Sequence, residues 1–94
     1  MFSLFILNAC AGPKPLKDYA LSKSALSKAK SAGAESLSNG WYYKADTTFN
    51  RAVKAYNEND NLVAKDLFIK SRRYSERAEN SSRVQKFKSG DGPN

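Results

Sequence analysis

The stretch at residues 40–58, GWYYKADTTFNRAVKAYNE, carries the clearest periodic pattern in this sequence. Its apolar residues follow one another at intervals of three, four, three, one and three positions, which gathers them on one side of an α-helix. They are Tyr42, Ala45, Phe49, Ala52, Val53 and Tyr56, with Trp41 at the edge of the stripe. The spacing therefore predicts an amphipathic helix whose apolar stripe faces a core.

A polar turn follows at residues 57–61 and offers Asp60 or Asn61 as the cap of the next helix. That helix is predicted over residues 62–88. Its inward face holds Ala64, Leu67, Phe68, Ser71, Tyr74 and Ala78. Beyond Ala78 the inward positions become polar, so we expect the last turns to project from the body of the domain.

A first helix is predicted to begin between residues 16 and 18 and to run to residue 32, where Gly33 ends it. Small residues dominate its apolar side, which holds Tyr19, Leu21, Ala25, Leu26, Ala29 and Ala32. Residues 34–40 are expected to carry a short turn, with Ser38 or Asn39 as the cap of the helix at residues 40–58.

These patterns together predict an all-α protein, a three-helix array with an antiparallel helical hairpin and a long C-terminal helix. The run Asn59-Asp60-Asn61-Leu62-Val63-Ala64, followed by Phe68 and Ser71, resembles the second half of a tetratricopeptide repeat. A single hairpin of this tetratricopeptide-like kind cannot bury both of its faces. The first helix is therefore expected to cover one face and to leave the other for a partner or a second copy.

The N-terminal residues have the layout of a lipoprotein signal. An apolar run at residues 2–7 leads into Leu7, Ala9 and Cys10, which fill the three positions that a lipobox requires. Nine residues precede Cys10 and none is Lys or Arg, whereas a secretory signal usually has about 15 to 30 residues with a cationic start. We interpret residues 1–9 as a truncated signal peptide whose true start lies upstream, and Cys10 as the lipid acceptor.

Two other interpretations use the same residues. The run at residues 2–7 is also compatible with packing on a small core, with Cys10 as a buried thiol. It falls far short of the roughly 20 apolar residues that cross a bilayer.

Two or more acyl chains hold a protein stably on its membrane, so lipidation predicts an anchored chain. Ala11, where an Asp would favour inner-membrane retention, indicates the outer membrane. We expect the domain to face the periplasm.

The remaining chain divides into three parts. Residues 10–17 contain Gly12, Pro13 and Pro15 and are predicted to form a tether from the lipidated cysteine that reaches at most about 25 Å. Residues 18–88 form the helical domain. Residues 89–94 are predicted to be a disordered tail.

The chain carries 16 Lys and Arg against 9 Asp and Glu, a formal net charge of +7. In a cytosolic protein such a charge would suggest nucleic-acid binding. An exported chain instead meets the phosphates of lipid and lipopolysaccharide, peptidoglycan carboxylates and acidic proteins, so envelope partners are expected and nucleic acid is not. The single cysteine leaves no disulfide to form.

The inventory of side chains argues against catalysis. No histidine occurs, which removes Ser/His and Cys/His nucleophiles and the usual zinc ligands. Ser27 and Lys30 form a Ser-x-x-Lys pair whose companion motifs are absent. A calcium loop starting in the polar turn would need glycine and glutamate where Leu62 and Phe68 stand. The chain is therefore expected to be no enzyme and to hold no metal or cofactor.

Basic side chains recur on one side of the long C-terminal helix. Lys70, Arg73 and Arg77 are spaced by three and four residues and define what we call the basic ridge. This ridge is either a solvated face or a strip that binds phosphate head groups or an acidic partner, to which Arg binds bidentately. Tyr43 and Phe87 lie off the core stripes and are candidate contact residues for a partner.

A wider pattern covers about residues 10–88. It consists of Asp18-Tyr19-Ala20-Leu21, Ala29-Lys30, Trp41-Tyr42-Tyr43-Lys44-Ala45, Ala64, Leu67-Phe68 and Arg72-Arg73-Tyr74-Ser75-Glu76-Arg77-Ala78-Glu79-Asn80. It resembles a family of small envelope lipoproteins of unknown function, sometimes fused to peptidoglycan-binding domains of the outer-membrane-protein-A type. The resemblance implies an outer-membrane, tetratricopeptide-like helical lipoprotein and supplies no catalytic residues. The sequence contains no such peptidoglycan-binding domain, so that activity is not carried over.

The sequence therefore favours a non-enzymatic adaptor or scaffold, anchored to the outer membrane through Cys10. It would bind an envelope protein, or a second copy of itself, through an incompletely buried helical face. The alternative is binding of anionic lipid, lipopolysaccharide or peptidoglycan through the basic ridge.

Overall fold

The computed structural model describes residues 12–90 and consists of four α-helices. Helix α1 spans Leu16–Ser31, α2 is a single turn at Ala34–Leu37, α3 spans Asn39–Asn57 and α4 spans Asn61–Lys88. No strand occurs between residues 12 and 90. The predicted all-α class and the long C-terminal helix are confirmed, and α2 is an addition to the three helices that the sequence predicted.

Helix α4 is the element against which the others pack. Helix α3 runs antiparallel to it after a short turn, α1 runs parallel to it, and α1 and α3 contact each other much less. Asn59, with a φ of 61°, takes the left-handed conformation that the turn between α3 and α4 requires. Gly33, with a φ of 85°, separates α1 from α2. The domain is thus a bundle organised around one long helix.

The buried residues of α4 follow a heptad spacing. They alternate at intervals of three and four residues, which is the period of a coiled-coil seam. We call them the α4 seam: Asn61, Ala64, Phe68, Ser71, Ser75, Ala78 and Ser82. Apart from Asn61 and Phe68, all are alanine or serine. Because no bulky group separates the helices along most of the seam, their axes can approach closely.

The helices that pack on the α4 seam use the same kinds of residue. Their buried positions are Ser22, Ala25 and Ala29 in α1, and Ala45, Thr48, Ala52 and Ala55 in α3. Ala29 lies in one buried cluster with Ala78, and Ala52 lies in another with Ala64 and Phe68. The fully buried contacts between the helices are therefore made mostly by small side chains, with larger and partly buried side chains packed beside them.

Phe68 is the one large side chain that is fully buried among residues 12–90. Three rings surround it, with centroids at 5.5 Å for Tyr19, 5.7 Å for Phe49 and 6.1 Å for Tyr56. Tilted and edge-on ring pairs add about 0.5–1.5 kcal/mol each beyond the burial of their area. The aromatic part of the core therefore lies near the end of the bundle that carries the α3–α4 turn.

Serine hydroxyls of the α4 seam form hydrogen bonds between helices. Ser71 Oγ donates to the carbonyl oxygen of Ala45 at 2.8 Å, and Ser82 Oγ donates to Ser38 Oγ at 2.9 Å. Ser75 is also fully buried, but its hydroxyl has no hydrogen-bond partner among residues 12–90. The seam thus contains both paired and unpaired hydroxyls.

The last turns of α4 do not project as a whole from the body, so that sequence-based expectation was wrong. Ser82 is fully buried, and Gln85 Nε2 donates to the carbonyl oxygen of Leu37 in α2 at 2.6 Å. The apolar stripe does fade after Ala78, but the heptad continues in polar residues. Their hydrogen bonds attach the C-terminal part of α4 to α2 and to the start of α3.

The expected caps occupy the right positions without acting as caps. Ser38 precedes α3 and Asp60 precedes α4, yet neither side chain makes a capping hydrogen bond within the part of the chain that the structure describes. Ser38 Oγ instead accepts from Ser82 of the seam. A tertiary contact has therefore taken the oxygen that a local cap would have used.

The segment before α1 lies against the end of the bundle. Asn61 Nδ2 donates to the carbonyl oxygen of Gly12 at 2.8 Å, and Lys14 Nζ donates to the carbonyl oxygen of Tyr56. The same ammonium group lies 4.2 Å from the centroid of the Tyr56 ring. The later part of the expected tether is thus docked, which shortens the free chain between the expected lipid acceptor and the domain.

Replacing the unpaired hydroxyl of the seam should stabilise the protein. An unpaired buried polar group costs about 1–3 kcal/mol, so Ser75→Ala is expected to raise the free energy of unfolding by about 1 kcal/mol. Ser71→Ala removes a paired hydroxyl of the same helix and should leave stability unchanged or lower it by about 1 kcal/mol. Urea denaturation followed by circular dichroism measures both. A loss of stability in Ser75→Ala would contradict the unpaired state of this hydroxyl.

Enlarging a small residue at a helix contact should be costly. Ala29 is fully buried, so Ala29→Leu is expected to lower the free energy of unfolding by about 1–3 kcal/mol, because the helices cannot separate to admit the extra atoms without losing contacts. Ala20 lies on the same helix with its side chain exposed, and Ala20→Leu is the control. Equal stability of the two variants in the same denaturation experiment would argue against close approach of α1 and α4.

Candidate functional site

Two aromatic rings lie against each other where α3 and α4 meet. Trp41 comes from the first turns of α3 and Tyr74 from the middle of α4, and their ring centroids are 6.1 Å apart with planes inclined by 30°. Both side chains are half-buried. Each ring therefore keeps part of its surface in solvent.

Two cations cover the exposed parts of these rings. Lys44 Nζ lies 5.3 Å from the Trp41 ring centroid and 5.9 Å from that of Tyr74, and the Arg77 guanidinium carbon lies 5.0 Å from the Trp41 centroid. Cations at such distances are attracted by the negative faces of the rings. We call Trp41, Lys44, Tyr74 and Arg77 the cation–aromatic patch.

The helical register places this patch on the side of the hairpin away from α1. On α3, Phe49 follows the buried Thr48 and packs against Tyr19 of α1. Lys44 precedes the buried Ala45 and so flanks the seam on the opposite side. Helix α1 thus covers one groove of the α3–α4 hairpin, and the patch lies along the other groove.

Two shallow surface depressions border the patch. One is lined by Arg73, Glu76, Arg77 and Asn80 of α4. The other is lined by residues 37–41 and Lys44, around the start of α3. Both are open to solvent, so they offer contact surface for a partner rather than an enclosed ligand cavity.

The cations of the patch keep their charge available. Four ion pairs occur among residues 12–90: Lys30 with Glu35, Lys70 with Asp66, Arg72 with Glu76, and Arg83 with Glu79. None includes Lys44, Arg73 or Arg77. Glu76, the one carboxylate that lines the Arg73 depression, is engaged by Arg72 at 3.2 Å. The positive charge of this surface is therefore not neutralised by its own neighbours.

The predicted binding residues lie in different environments in the structure. Lys70, Arg73 and Arg77 are all exposed on α4, but Lys70 is paired with Asp66 at 3.2 Å, and only Arg77 contacts the aromatic pair. Tyr43 is 68% exposed and lies outside the patch. Cys10 lies outside the described residues.

Three residues of the patch were not predicted as site residues. The sequence patterns assigned Trp41 and Tyr74 to core stripes and gave Lys44 no role in binding. A signal was nevertheless present, since an aromatic residue is followed three positions later by a cation in both helices, as Trp41 with Lys44 and Tyr74 with Arg77. Only the packing of α3 on α4 brings the two pairs together.

The described residues offer little for acid–base or metal chemistry. No group of three His, Cys, Asp or Glu side chains that could hold a metal ion occurs among residues 12–90. Burial, followed by the carboxylates of Glu35 and Asp46, raises the pKa of Tyr42 above its usual value of 10.0. A raised pKa makes this phenol a weaker acid near neutral pH.

Comparison of the chain with protein-family models, with curated proteins and with solved structures finds no match. The resemblance to small envelope lipoproteins stays a prediction from the sequence. None of the helices between residues 12 and 90 is long and apolar enough to span a membrane.

Quenching of Trp41 fluorescence reports the local charge of the patch, because Trp41 is the sole tryptophan of the chain. Iodide should quench Trp41 more than caesium does, since the cations attract the anion and repel the other quencher. Added inert salt should reduce the contrast by screening. Lys44→Gln combined with Arg77→Gln should remove most of it.

The control for this measurement is Lys28→Gln combined with Lys65→Gln, which lowers the net charge equally at exposed positions outside the patch. It should leave the contrast between iodide and caesium unchanged. An iodide-to-caesium quenching ratio in the unaltered protein no greater than that of free N-acetyltryptophanamide would show that Trp41 experiences no local positive field.

Proposed function

We propose that this protein is a non-enzymatic helical adaptor, lipid-anchored to the outer membrane and facing the periplasm, which binds an acidic segment of an envelope protein through the cation–aromatic patch. The observation that carries the proposal is the combination of a half-exposed ring pair with cations that have no carboxylate partner among residues 12–90. Both lie along the one groove of the α3–α4 hairpin that α1 leaves open.

The chemistry of the patch suits a protein partner. Aromatic and Arg side chains are enriched at protein interfaces, where rings supply contact area and Arg supplies directed hydrogen bonds. Arg77 lies on the Trp41 ring, and such stacking holds a guanidinium ready to bind a carboxylate bidentately. A partner side chain with an acidic group and an apolar stem would meet both features.

The anchor rests on Leu7, Ala9 and Cys10, which satisfy the lipobox pattern. Acylation of Cys10 would hold the chain on the membrane without a spanning helix. This agrees with an adaptor role, because a small domain without a catalytic constellation would then act by position and contact.

A second candidate function is binding of anionic envelope components, such as lipid or lipopolysaccharide phosphates and peptidoglycan. The observation that favours it is the depression in which Arg73 and Arg77 lie, neither of which forms an ion pair within the described part of the chain. Lys70 would contribute less than the basic ridge suggested, because an anion would have to compete with Asp66 for it.

Site-specific photo-crosslinking in intact cells tests the first proposal. Asn80 is exposed and lines the depression beside Arg77, so a photoreactive amino acid at this position should give a defined adduct with one protein. Lys44→Glu combined with Arg77→Glu should reduce that adduct by at least roughly tenfold, because reversed charges would face the acidic partner. The measurement is the yield of the adduct on an immunoblot.

Two controls accompany this experiment. The photoreactive residue at Ser27, exposed on α1, should give no such adduct. Lys28→Glu with Lys65→Glu should leave the Asn80 adduct intact. Absence of any protein adduct, together with co-sedimentation of the chain with anionic vesicles or sacculi that is lost in Arg73→Glu with Arg77→Glu, would replace the adaptor with the second candidate.

A further inference from the structure

A second surface of the bundle differs from the cation–aromatic patch in both place and chemistry. Leu16 is 64% exposed, Leu62 is 66% exposed and Val63 is 46% exposed. Leu16 begins α1, whereas Leu62 and Val63 belong to the first turn of α4. Because α1 runs parallel to α4, these three apolar side chains lie at the same end of the bundle, beside the α3–α4 turn.

The N-terminal segment of the chain reaches the domain at this end. The hydrogen bond from Asn61 Nδ2 to the carbonyl oxygen of Gly12, and the contacts of Lys14 with Tyr56, hold the segment on the end of the bundle. A Cβ placed on Gly12 would lie 3.9 Å from the side chain of Leu62. The point where the preceding residues leave the structure is thus next to the exposed leucine.

Chain length then limits how far the anchor can be. Cys10 lies two residues before Gly12, so its backbone is at most about 7 Å from a backbone atom that is docked on the bundle. An acyl group on Cys10 would therefore bring the lipid surface to this end of the domain rather than to its side or to the opposite end.

We infer that the end of the bundle formed by Leu16, Leu62 and Val63 rests on the lipid bilayer, so that the long helices stand on the membrane. The inference depends on acylation of Cys10, which is part of the proposed function. The apolar end would contact the interfacial region of the bilayer that holds the anchor. This contact gives a role to apolar side chains that no helix of the bundle covers.

The charges at this end are suited to apolar contact rather than to electrostatic attraction. Residues 12–15, the α3–α4 turn and the terminal turns of α1, α3 and α4 at this end carry three lysines and three carboxylates: Lys14, Lys17 and Lys54, and Asp18, Glu58 and Asp60. Their formal charges cancel. Seating of this end on lipid is therefore expected to be insensitive to salt, whereas binding through the cation–aromatic patch should weaken as salt increases.

This orientation also positions the patch. Trp41 lies near the start of α3, about 24 Å along the helix from Asn57 at the membrane end. The patch would be held away from the head groups of the anchoring membrane and would face the surrounding space. The orientation thus favours a partner outside that membrane surface over lipid phosphates within it.

Quenching of tryptophan fluorescence by brominated lipid tests the orientation. The chain from Leu7 onward is expressed behind a complete lipoprotein signal sequence in a bacterial host that processes lipoproteins. Its acylation at Cys10 is verified by mass spectrometry, and it is reconstituted into phosphatidylcholine vesicles with or without brominated acyl chains. In a Trp41→Phe background, Leu62→Trp should lose most of its fluorescence in brominated vesicles. Val63→Trp repeats the measurement at the neighbouring position.

The control positions lie away from the membrane end. Native Trp41 in the unaltered chain, and Phe87→Trp in the Trp41→Phe background, should emit equally in both kinds of vesicle. Phe87 is 73% exposed and lies near the other end of α4. Added salt should not reduce the quenching of Leu62→Trp, and circular dichroism checks that each variant keeps its helices.

The outcomes separate the orientation from the proposed anchor. An acylated chain in which Leu62→Trp is not quenched overturns the orientation alone. If size-exclusion chromatography in detergent then shows that this chain is a dimer, the apolar end would be assigned to contact with a second copy. Equal quenching of Leu62→Trp and Phe87→Trp would show a bundle that lies flat. A chain without acylation at Cys10 overturns the anchor and, with it, the orientation.

Discussion

The structure depends on close contact between helices along the α4 seam. Five of its seven positions are alanine or serine. The helices that pack on the seam contact it with residues of similar size. Outside Asn61 and Phe68, such a contact works only if no large side chain enters it, because a single added branch would separate two helices and remove many contacts at once. The heptad spacing keeps the small residues on one line over almost the whole length of α4.

A seam made mostly of small residues has a consequence for the rest of the molecule. Apart from Phe68, the large side chains of the core lie at the flanks of the seam, where they are half-buried rather than enclosed. On the side covered by α1, Tyr19, Phe49 and Tyr56 close around Phe68 and supply the aromatic core. On the side that α1 leaves open, Trp41 and Tyr74 pair with each other and with cations instead. The same constraint therefore produces both the core and the candidate binding surface.

The two surfaces of the bundle make different demands on their surroundings. The cation–aromatic patch lies along a groove and presents cations that form no ion pair with the described residues, whereas the end bearing Leu62 presents apolar groups among charges that cancel. Docking of Gly12 on Asn61 links the second surface to the expected lipid acceptor. The proposed attachment point and the proposed binding face are separated along the same long helices, as the proposed anchored adaptor requires.

The sequence by itself determined the helices, because periodicity and turn residues are local properties. The stripe from Tyr42 to Tyr56 and the polar turn before α4 lead directly to the observed hairpin. The sequence did not reveal the role of a residue where that role depends on its tertiary contacts. In the sequence, Ser82 is a polar position with no visible partner, and only the structure shows that Ser38 lies opposite. A hydropathy scale does not identify a serine that is buried against a neighbouring helix and hydrogen-bonded to it. Likewise Trp41 with Lys44, and Tyr74 with Arg77, are visible as separate pairs. Only the tertiary structure decided that they form one patch, because residues so far apart in sequence meet solely through the antiparallel packing of α3 on α4.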